Sequence, residues 1–398
     1  MNKSGFKCIS VIFLIAIIAR VIFYFAVYQP YAEKFNWAHY PGQFNWYSDD
    51  NYDEIARNLL SGKGFTDFEK GPNISRVPVY PVVLATQFYL FGDGYWANLA
   101  INILYQSVVC IILYYLTLSM LRERHLAILS SLIWALYPLP MLQAMGPNTE
   151  PIYEVFLVSF VYFLYLFHKV EKTKYLVYSS ILLLIMTLTR PISILYPIFF
   201  SLITLIGKRG LFKKRLAHIG LMLLIFAIGI GPWMVRGYKI TGEVIPLVSY
   251  KSITYFENKA DHKIADRSFK ARGFVGRLKE EIQNPSLFLK KSVMRLIRFW
   301  YYGHSTPVRT VNAALQFPLL AVAIIGIWVA RKKGILILPV LSTVCYFWMA
   351  YGATHAISRY SFPMIALLCP FVALGLNKIW EISKGRMVLR EPHPGPLS

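Results

Sequence analysis

Four arginines stand where an apolar chain has least use for charge. Arg76 opens the stretch Arg76-Val77-Pro78-Val79-Tyr80-Pro81. Arg190 lies in Thr189-Arg190-Pro191, between two apolar runs with no water-rich loop. Arg236 follows Gly231-Pro232-Trp233, and Arg359 lies in His355-Ala356-Ile357-Ser358-Arg359-Tyr360. Most stand beside Pro or Gly breaks, of the kind that end membrane helices at a cavity. Ionisable groups at or inside a bilayer are costly and usually functional. Guanidinium groups brought together form a bidentate clamp for phosphate. One such arginine alone could be an anchor that snorkels to the interface. Four anchors of that kind are harder to account for.

Acids accompany these arginines. Asp49, Asp50 and Asp53 surround the start of a short amphipathic segment, and Glu150 lies in Asn148-Thr149-Glu150-Pro151. A carboxylate beside a cationic phosphate site is what glycosyl transfer requires. It deprotonates the incoming hydroxyl as the sugar carbon becomes cation-like. Arginines stabilise the departing phosphate and keep the neighbouring acid ionised. Asp49 and Asp50 are therefore the candidate bases. Arg76, Arg190, Arg236, His355, Arg359 and Tyr360 are candidates for the phosphate and donor. Asp53, Tyr80 and Glu150 are candidates for acceptor contact or support of the site. Helix capping is the plainer role for each aspartate. The adjacent acids Asp49 and Asp50 could bind a divalent cation, but arginines can neutralise a lipid monophosphate unaided. The expectation is no metal and no other cofactor, with the lipid-phosphate sugar as co-substrate.

The elements that must position these groups are membrane helices. Of 398 residues, 56% are hydrophobic and 16% charged, and the mean hydropathy is +0.46. A soluble chain of this size cannot hide so much apolar surface. Runs of about 20 apolar residues, enough to span a bilayer, recur along the chain. Ten spans are expected, at 9–28, 95–121, 126–146, 152–168, 175–189, 191–206, 216–235, 310–330, 335–352 and 363–380. The fold class is thus all-α and polytopic. The first run is too long for a signal-peptide core and contains Arg20, so it reads as a retained span.

The basic clusters Lys3/Lys7, Arg122/Arg124, Lys169/Lys172/Lys174, Lys208–Arg215, Arg331–Lys333 and Lys378/Lys384 all fall on one side of these spans. The positive-inside rule makes that side cytoplasmic. The protein is then a multi-pass protein of the plasma (inner) membrane. Residues 1–380 form a single domain with outer loops 29–94 and 236–309, and 381–398 form a cytoplasmic tail. The net charge of +22 does not signal nucleic acid, because the basic residues mark loop ends between spans. Cys8, Cys110, Cys345 and Cys369 lie in apolar runs, without disulfide or metal spacing. Asn73-Ile74-Ser75 matches a glycosylation sequon, a short pattern of low specificity.

In the first outer loop, Tyr52, Ile55, Ala56, Leu59 and Leu60 share one helical face, with Asp53, Glu54, Arg57 and Asn58 opposite. Ser48, Asp49 and Asp50 can cap this helix, and Gly62 can end it. Such a helix should lie along the membrane surface. Pro78, Pro81 and Val82–Phe91 predict a second interfacial or re-entrant stretch. In the second loop, Lys290, Lys291, Arg295 and Arg298 alternate with Phe288, Leu289, Val293, Leu296, Ile297 and Phe299. That pattern suits a helix on anionic headgroups, in contact with membrane lipids.

Together these motifs resemble the GT-C membrane glycosyltransferases. The likeness is to the branch of protein mannosyltransferases and bacterial aminoarabinose transferases. It runs over nearly the whole chain: Ser48-Asp49-Asp50-Asn51-Tyr52-Asp53-Glu54-Ile55-Ala56-Arg57-Asn58-Leu59-Leu60-Ser61-Gly62-Lys63-Gly64-Phe65, then Arg76 to Pro81, Thr189-Arg190-Pro191, Gly231 to Arg236, and Arg359-Tyr360. The resemblance implies a polyprenyl-phosphate sugar donor, transfer with inversion, and a glycan, lipid or protein acceptor. It implies an aspartate base just ahead of the interfacial helix. Asp49 fits the family's spacing to Tyr52 and Asp50 is one place closer, so both remain candidates. The rival expectation is a transporter or flippase of a lipid-linked glycan without catalysis. The chain shows no convincing internal repeat and no paired mid-span acids of the kind transporters use.

Overall fold

The computed structural model describes residues 3–35, 51–67, 71–206, 211–248, 285–303, 305–354 and 357–385. Within them the chain is all-helical, apart from one isolated bridge between Thr66 and Pro72. Helix α1 (Lys3–Phe23) runs through a π-helical segment (Tyr24–Tyr28) into α2 (Gln29–Phe35). Then come α3 (Tyr52–Leu60), α4 (Val79–Phe91), α5 (Tyr95–Leu121), α6 (Arg124–Leu136) and α7 (Pro138–Ala144). These are followed by α8 (Glu150–Val170), α9 (Thr173–Thr187), α10 (Tyr196–Ile206) and α11 (Phe212–Thr241). The series ends with α12 (Pro285–Tyr301), α13 (Thr306–Lys332), α14 (Leu338–Thr354) and α15 (Phe362–Ser383).

Every expected span falls on helical segments, in some cases on two in succession, and the protein is a multi-pass membrane protein. The count of ten does not follow from helix length, however. Among the described residues six helices are long and apolar enough to cross a bilayer. A seventh crossing arises if α6 and α7, bent by 56° at Tyr137, act as one. Pro138 explains the bend, since a proline cannot continue the hydrogen-bond ladder of the preceding turn. The segments expected at 175–189, 191–206 and 335–352 are shorter apolar helices.

Helix α15 forms the centre of the bundle. Every residue from Phe362 to Gly375 is buried, the mark of a helix surrounded by others. It packs closely on α13. A Cβ at Gly326 would overlap the Phe371 carbonyl, and one at Gly375 would overlap that of Val322. Small residues allow such approach between membrane helices. The periphery is the reverse: Val11, Leu14, Ile18 and Ile22 of α1 point outward, as lipid-facing side chains should. Arg20 on the same helix is fully buried. It donates from Nε to Gln106 Oε1 at 3.0 Å, and from Nη1 to the carbonyls of Ala16 and Ala135 at 2.9 and 3.3 Å. It thereby stitches α1 to α5 and α6.

The bundle has two unlike ends. At one, the basic loops meet: Lys214 pairs with Glu171 at 3.4 Å and Lys333 with Glu123 at 3.8 Å. The other carries α3, α4 and the turns before α8, α10 and α15. Helix α3 begins at Tyr52 as the periodicity predicts, after Asn51 in the left-handed region (φ 59°). Its faces differ from expectation. Leu60 is exposed, whereas Asp53, assigned to the polar face, is 1% exposed. The cause is Arg57 one turn on, which pairs with Asp53 at 2.9 Å and Asp93 at 2.6 Å. The paired carboxylate can therefore sit under protein rather than water. The second predicted stretch is α4. Helix α12 exposes Leu289, Val293 and Ile297 beside Lys290 and Lys291, and buries Phe299 and Trp300, in keeping with an amphipathic surface helix.

The sequon has another role. The Asn73 side chain is buried and donates to Asp67 Oδ2 at 2.6 Å. Its Oδ1 accepts from the amides of Ser75 and Arg76, both at 3.0 Å. This asparagine shapes the turn that presents Arg76.

Candidate active site

Three turns at the α3 end of the bundle bring the sequence-predicted groups together. In the first, Pro151 sits in the opening turn of α8 and leaves Glu150 as its first residue. Proline is favoured there because its missing N–H is not needed. Glu150 is 2% exposed. In the second, Pro191 disfavours helical backbone at the residue before it, and Arg190 is extended (φ −145°, ψ 120°). That turn is pinned by Tyr346 Oη donating to the Ile192 carbonyl at 2.8 Å and by the Tyr153–Ser193 hydroxyl pair at 3.2 Å. The third is the short 3-10 turn Ser358–Tyr360. Asn312 of α13 donates to Ser358 Oγ at 2.7 Å, and the Ser358 amide donates to the Tyr302 carbonyl at 2.9 Å.

Both arginines converge on one carboxylate oxygen. Arg190 Nη1 lies 3.0 Å from Glu150 Oε1, and Arg359 Nε lies 3.5 Å from the same atom. Neither Glu150 Oε1 nor Arg359 Nε makes an aligned hydrogen bond. The group is therefore held by charge rather than by a closed fork of donors. Buried polar atoms left unsatisfied are uncommon and call for an explanation. Around the pair is an aromatic wall. Arg190 lies 4.7 Å from the centroid of Tyr360 and 5.5 Å from that of Tyr153, and Tyr360 stacks on Tyr351 at 4.6 Å. The Glu150 carboxylate raises the pKa of Arg359 above its ordinary value against the effect of burial. Burial works to lower that of Arg190, yet the same carboxylate helps to hold it well above the ordinary range. Both guanidiniums stay charged.

The first loop reaches this site through its backbone. The amide of Val79 donates to the Leu188 carbonyl at 3.0 Å, which sets the Arg76–Pro81 stretch beside the Arg190 turn. Arg76 lies 5.4 Å from the Tyr52 ring centroid, and Tyr52 meets Tyr80 edge-on at 5.0 Å. The Tyr80 hydroxyl is buried without a hydrogen-bond partner. Burial first, and then Glu150, push its pKa well above the ordinary phenol range, so it remains a donor. Tyr52, Tyr80, Glu150 and the two arginines thus form one neighbourhood.

Two predicted residues are committed elsewhere. Arg236 donates to the carbonyls of Asn73 and Phe65 at 2.9 and 3.2 Å and lies 4.6 Å from the Trp233 ring centroid. It fastens α11 to the first loop and has no contact with Glu150. Asp53 is engaged by Arg57. Asp49, Asp50 and His355 lie outside the described residues. Among the described residues no three His, Cys, Asp or Glu side chains could hold a metal ion together.

One feature of the site went unpredicted. Glu154, one turn beyond Glu150, is 0% exposed, and neither carboxylate oxygen has an aligned hydrogen bond. An acid within the apolar run after Pro151 was the available signal, as Arg20 was within the first run. Nothing local in the sequence relates the two.

Comparison with known proteins adds the family context. The family described as dolichyl-phosphate-mannose-protein mannosyltransferase matches residues 72–234. These include Arg76, Tyr80, Glu150 and Arg190. The solved structure of ArnT from Cupriavidus metallidurans in the apo state superposes with a TM-score of 0.56 at 14% identity. The fold is that of the GT-C-like membrane glycosyltransferases. The same ArnT bound to undecaprenyl phosphate gives 0.55 at 12% identity, covering 97% of this chain. AglB from Archaeoglobus fulgidus, in complex with an inhibitory peptide and a dolichol-phosphate, gives 0.55 at 12%, covering 98%. The apo ArnT match covers 84% of this chain. The chain spans 56%, 52% and 62% of the lengths of apo ArnT, AglB and lipid-bound ArnT. No curated protein matches it in sequence.

Proposed function

We propose that this GT-C-like protein transfers a sugar from a polyprenyl-phosphate carrier to a hydroxyl of a glycan, lipid or protein, inverting the anomeric carbon. Asp49 or Asp50, which directly precede the start of α3 in sequence, takes the acceptor proton as the oxygen bonds to the sugar carbon. The bond from that carbon to the phosphate oxygen breaks, and the carrier phosphate departs with the electron pair. Arg190 and Arg359 stabilise that charge, with Arg76 beside them and Tyr360 backing Arg190. Tyr80 offers a hydroxyl donor. His355, next to this turn in sequence, completes the donor side. Preorganised cations cost no reorganisation as charge develops, which is why such groups dominate catalysis. The site needs no metal, because its neutralising charge is guanidinium.

One observation carries this reading: Arg190 and Arg359, from separate turns, meet at a buried carboxylate with a guanidinium nitrogen still unbonded. The site lies at the end opposite the basic loops, and the positive-inside rule would make that end extracytoplasmic in the plasma membrane.

The test uses the purified full chain in liposomes with polyprenyl-phosphate hexoses. Asp49→Asn and Asp50→Asn are compared for transfer and for binding of undecaprenyl phosphate. Loss of the general base should slow transfer by about 100-fold or more in one of them, with carrier binding retained. Wild-type transfer rates in both variants would exclude the mechanism. Impermeant labelling of a cysteine placed at residue 244 tests the side. Reaction only from the cytoplasm would reverse the orientation.

A further inference from the structure

We infer that Glu150 tunes which carrier the site accepts, weakening a lipid linked through two phosphates more than a lipid linked through one. The inference rests on the reading of Arg190 and Arg359 as the phosphate site. It extends that reading to a residue that neither binds nor reacts with the sugar. Glu150 is a positioning and specificity residue.

Its first role is mechanical. Two guanidinium groups that approach one point repel each other, and burial strengthens the repulsion. Glu150 Oε1 lies 3.0 Å from Arg190 Nη1 and 3.5 Å from Arg359 Nε. One carboxylate oxygen thus holds both cations in place before any carrier arrives. The contacts are not aligned hydrogen bonds, so an incoming phosphate oxygen can take up the donors without first breaking a bidentate fork.

Its second role is arithmetic. Arg190 and Arg359 contribute two positive charges and Glu150 subtracts one. The three together carry a single net positive charge. A sugar phosphodiester carries one negative charge, while a sugar diphosphate carries two. Whatever other cations flank the site, the fixed carboxylate lowers its charge by one. That change weakens a diphosphate more than a monophosphate, because the penalty scales with ligand charge. Exchange with the solvent cannot relieve it, since the Glu150 side chain is 3% exposed and little water or salt screens it.

The neighbours fit the same design. Thr149 Oγ1 lies 3.3 Å from Glu150 Oε2, so the second oxygen is held away from the arginines. The position at the head of α8 favours an ionised carboxylate through the helix dipole. Arg359 is 40% exposed along its side chain, which leaves a route for a phosphate from the bundle surface.

The experiment measures binding of undecaprenyl phosphate and undecaprenyl diphosphate to the purified full chain in detergent, each competing with a fluorescent polyprenyl phosphate. The readout is the ratio of the two affinities, which a general loss of folded protein does not move. Glu150→Gln keeps size and adds one net positive charge, and should shift the ratio toward the diphosphate by about tenfold or more. Glu150→Asp keeps the charge and should keep the wild-type ratio. Arg359→Gln removes a positive charge and should move the ratio the other way while weakening both lipids. That variant decides the matter if Glu150→Gln does not fold. An unchanged ratio in Glu150→Gln, or in Arg359→Gln where Glu150→Gln does not fold, overturns the role of Glu150 and leaves the phosphate site standing. Failure of both lipids to compete in wild type overturns the phosphate site and this inference with it.

Discussion

The two ends of α8 hold ion pairs of opposite character. At its start, Glu150 and Arg190 pair at 3.0 Å with side chains 3% and 13% exposed. Just past its other end, Glu171 and Lys214 pair at 3.4 Å with side chains 53% and 51% exposed. The geometry is similar, and the energetics are not. A solvent-exposed pair gains little, because water screens it and two long side chains lose freedom. A buried pair carries a desolvation cost that its attraction only partly offsets, yet removal of one partner strands a charge. An exposed pair can mark an orientation signal. A buried one at a turn between apolar helices persists where something else requires it, and under the proposed function that is the carrier phosphate.

The largest test of this contrast is Glu150→Ala. It leaves two arginines facing each other in a buried site. We expect about 3–5 kcal/mol of lost stability, read as a fall in thermal midpoint in detergent. A loss below about 1 kcal/mol would show that solvent reaches the site and would erase the difference between the ends. Next is Arg20→Ala, a buried charge away from either end. It strands Gln106 and two backbone carbonyls, and should cost about 2–4 kcal/mol by the same measurement. A neutral outcome would mean that α1 docks through its apolar face alone. A smaller effect is expected for Arg236→Ala, which removes two bonds to the carbonyls of Phe65 and Asn73. It should cost about 1–2 kcal/mol and speed protease cleavage within residues 65–73. Cleavage at the wild-type rate would show that the first loop is held elsewhere. The smallest is Lys214→Ala, expected within about 0.5 kcal/mol of wild type. A cost as large as that of Arg236→Ala would show that the basic end is built into the fold.

Much of this molecule is legible from local pattern. The apolar runs located the helices, and the basic clusters predicted loops that share one end, as Lys214–Glu171 and Lys333–Glu123 show. The start of α3 and the Arg76–Pro81 turn were also legible, because proline and helical periodicity act over a few residues. Other features were not. The amphipathic pattern of α3 assigned Asp53 to water, since a helical wheel carries no information about Arg57 bridging to Asp93. Arg236, like Arg190, stands near a proline at the end of an expected span, yet α11 runs on past Pro232 and Arg236 serves the first loop. Ten crossings were expected, and among the described residues six or seven meet the length for one, because hydropathy counts apolar runs whatever the length of the helix in them.

Composition and period are properties of neighbouring residues, and they were sufficient for a polytopic helical protein with charge sorted to its ends. They also marked Arg190, Arg359 and Glu150 individually, through the rarity of charge in apolar surroundings. That these three meet at one oxygen, and that Glu154 one turn away meets no aligned partner, depends on how α8, α13, α14 and α15 pack. Packing brings together residues separated by 40 to more than 200 positions, and no window of the sequence contains both sides of such a contact.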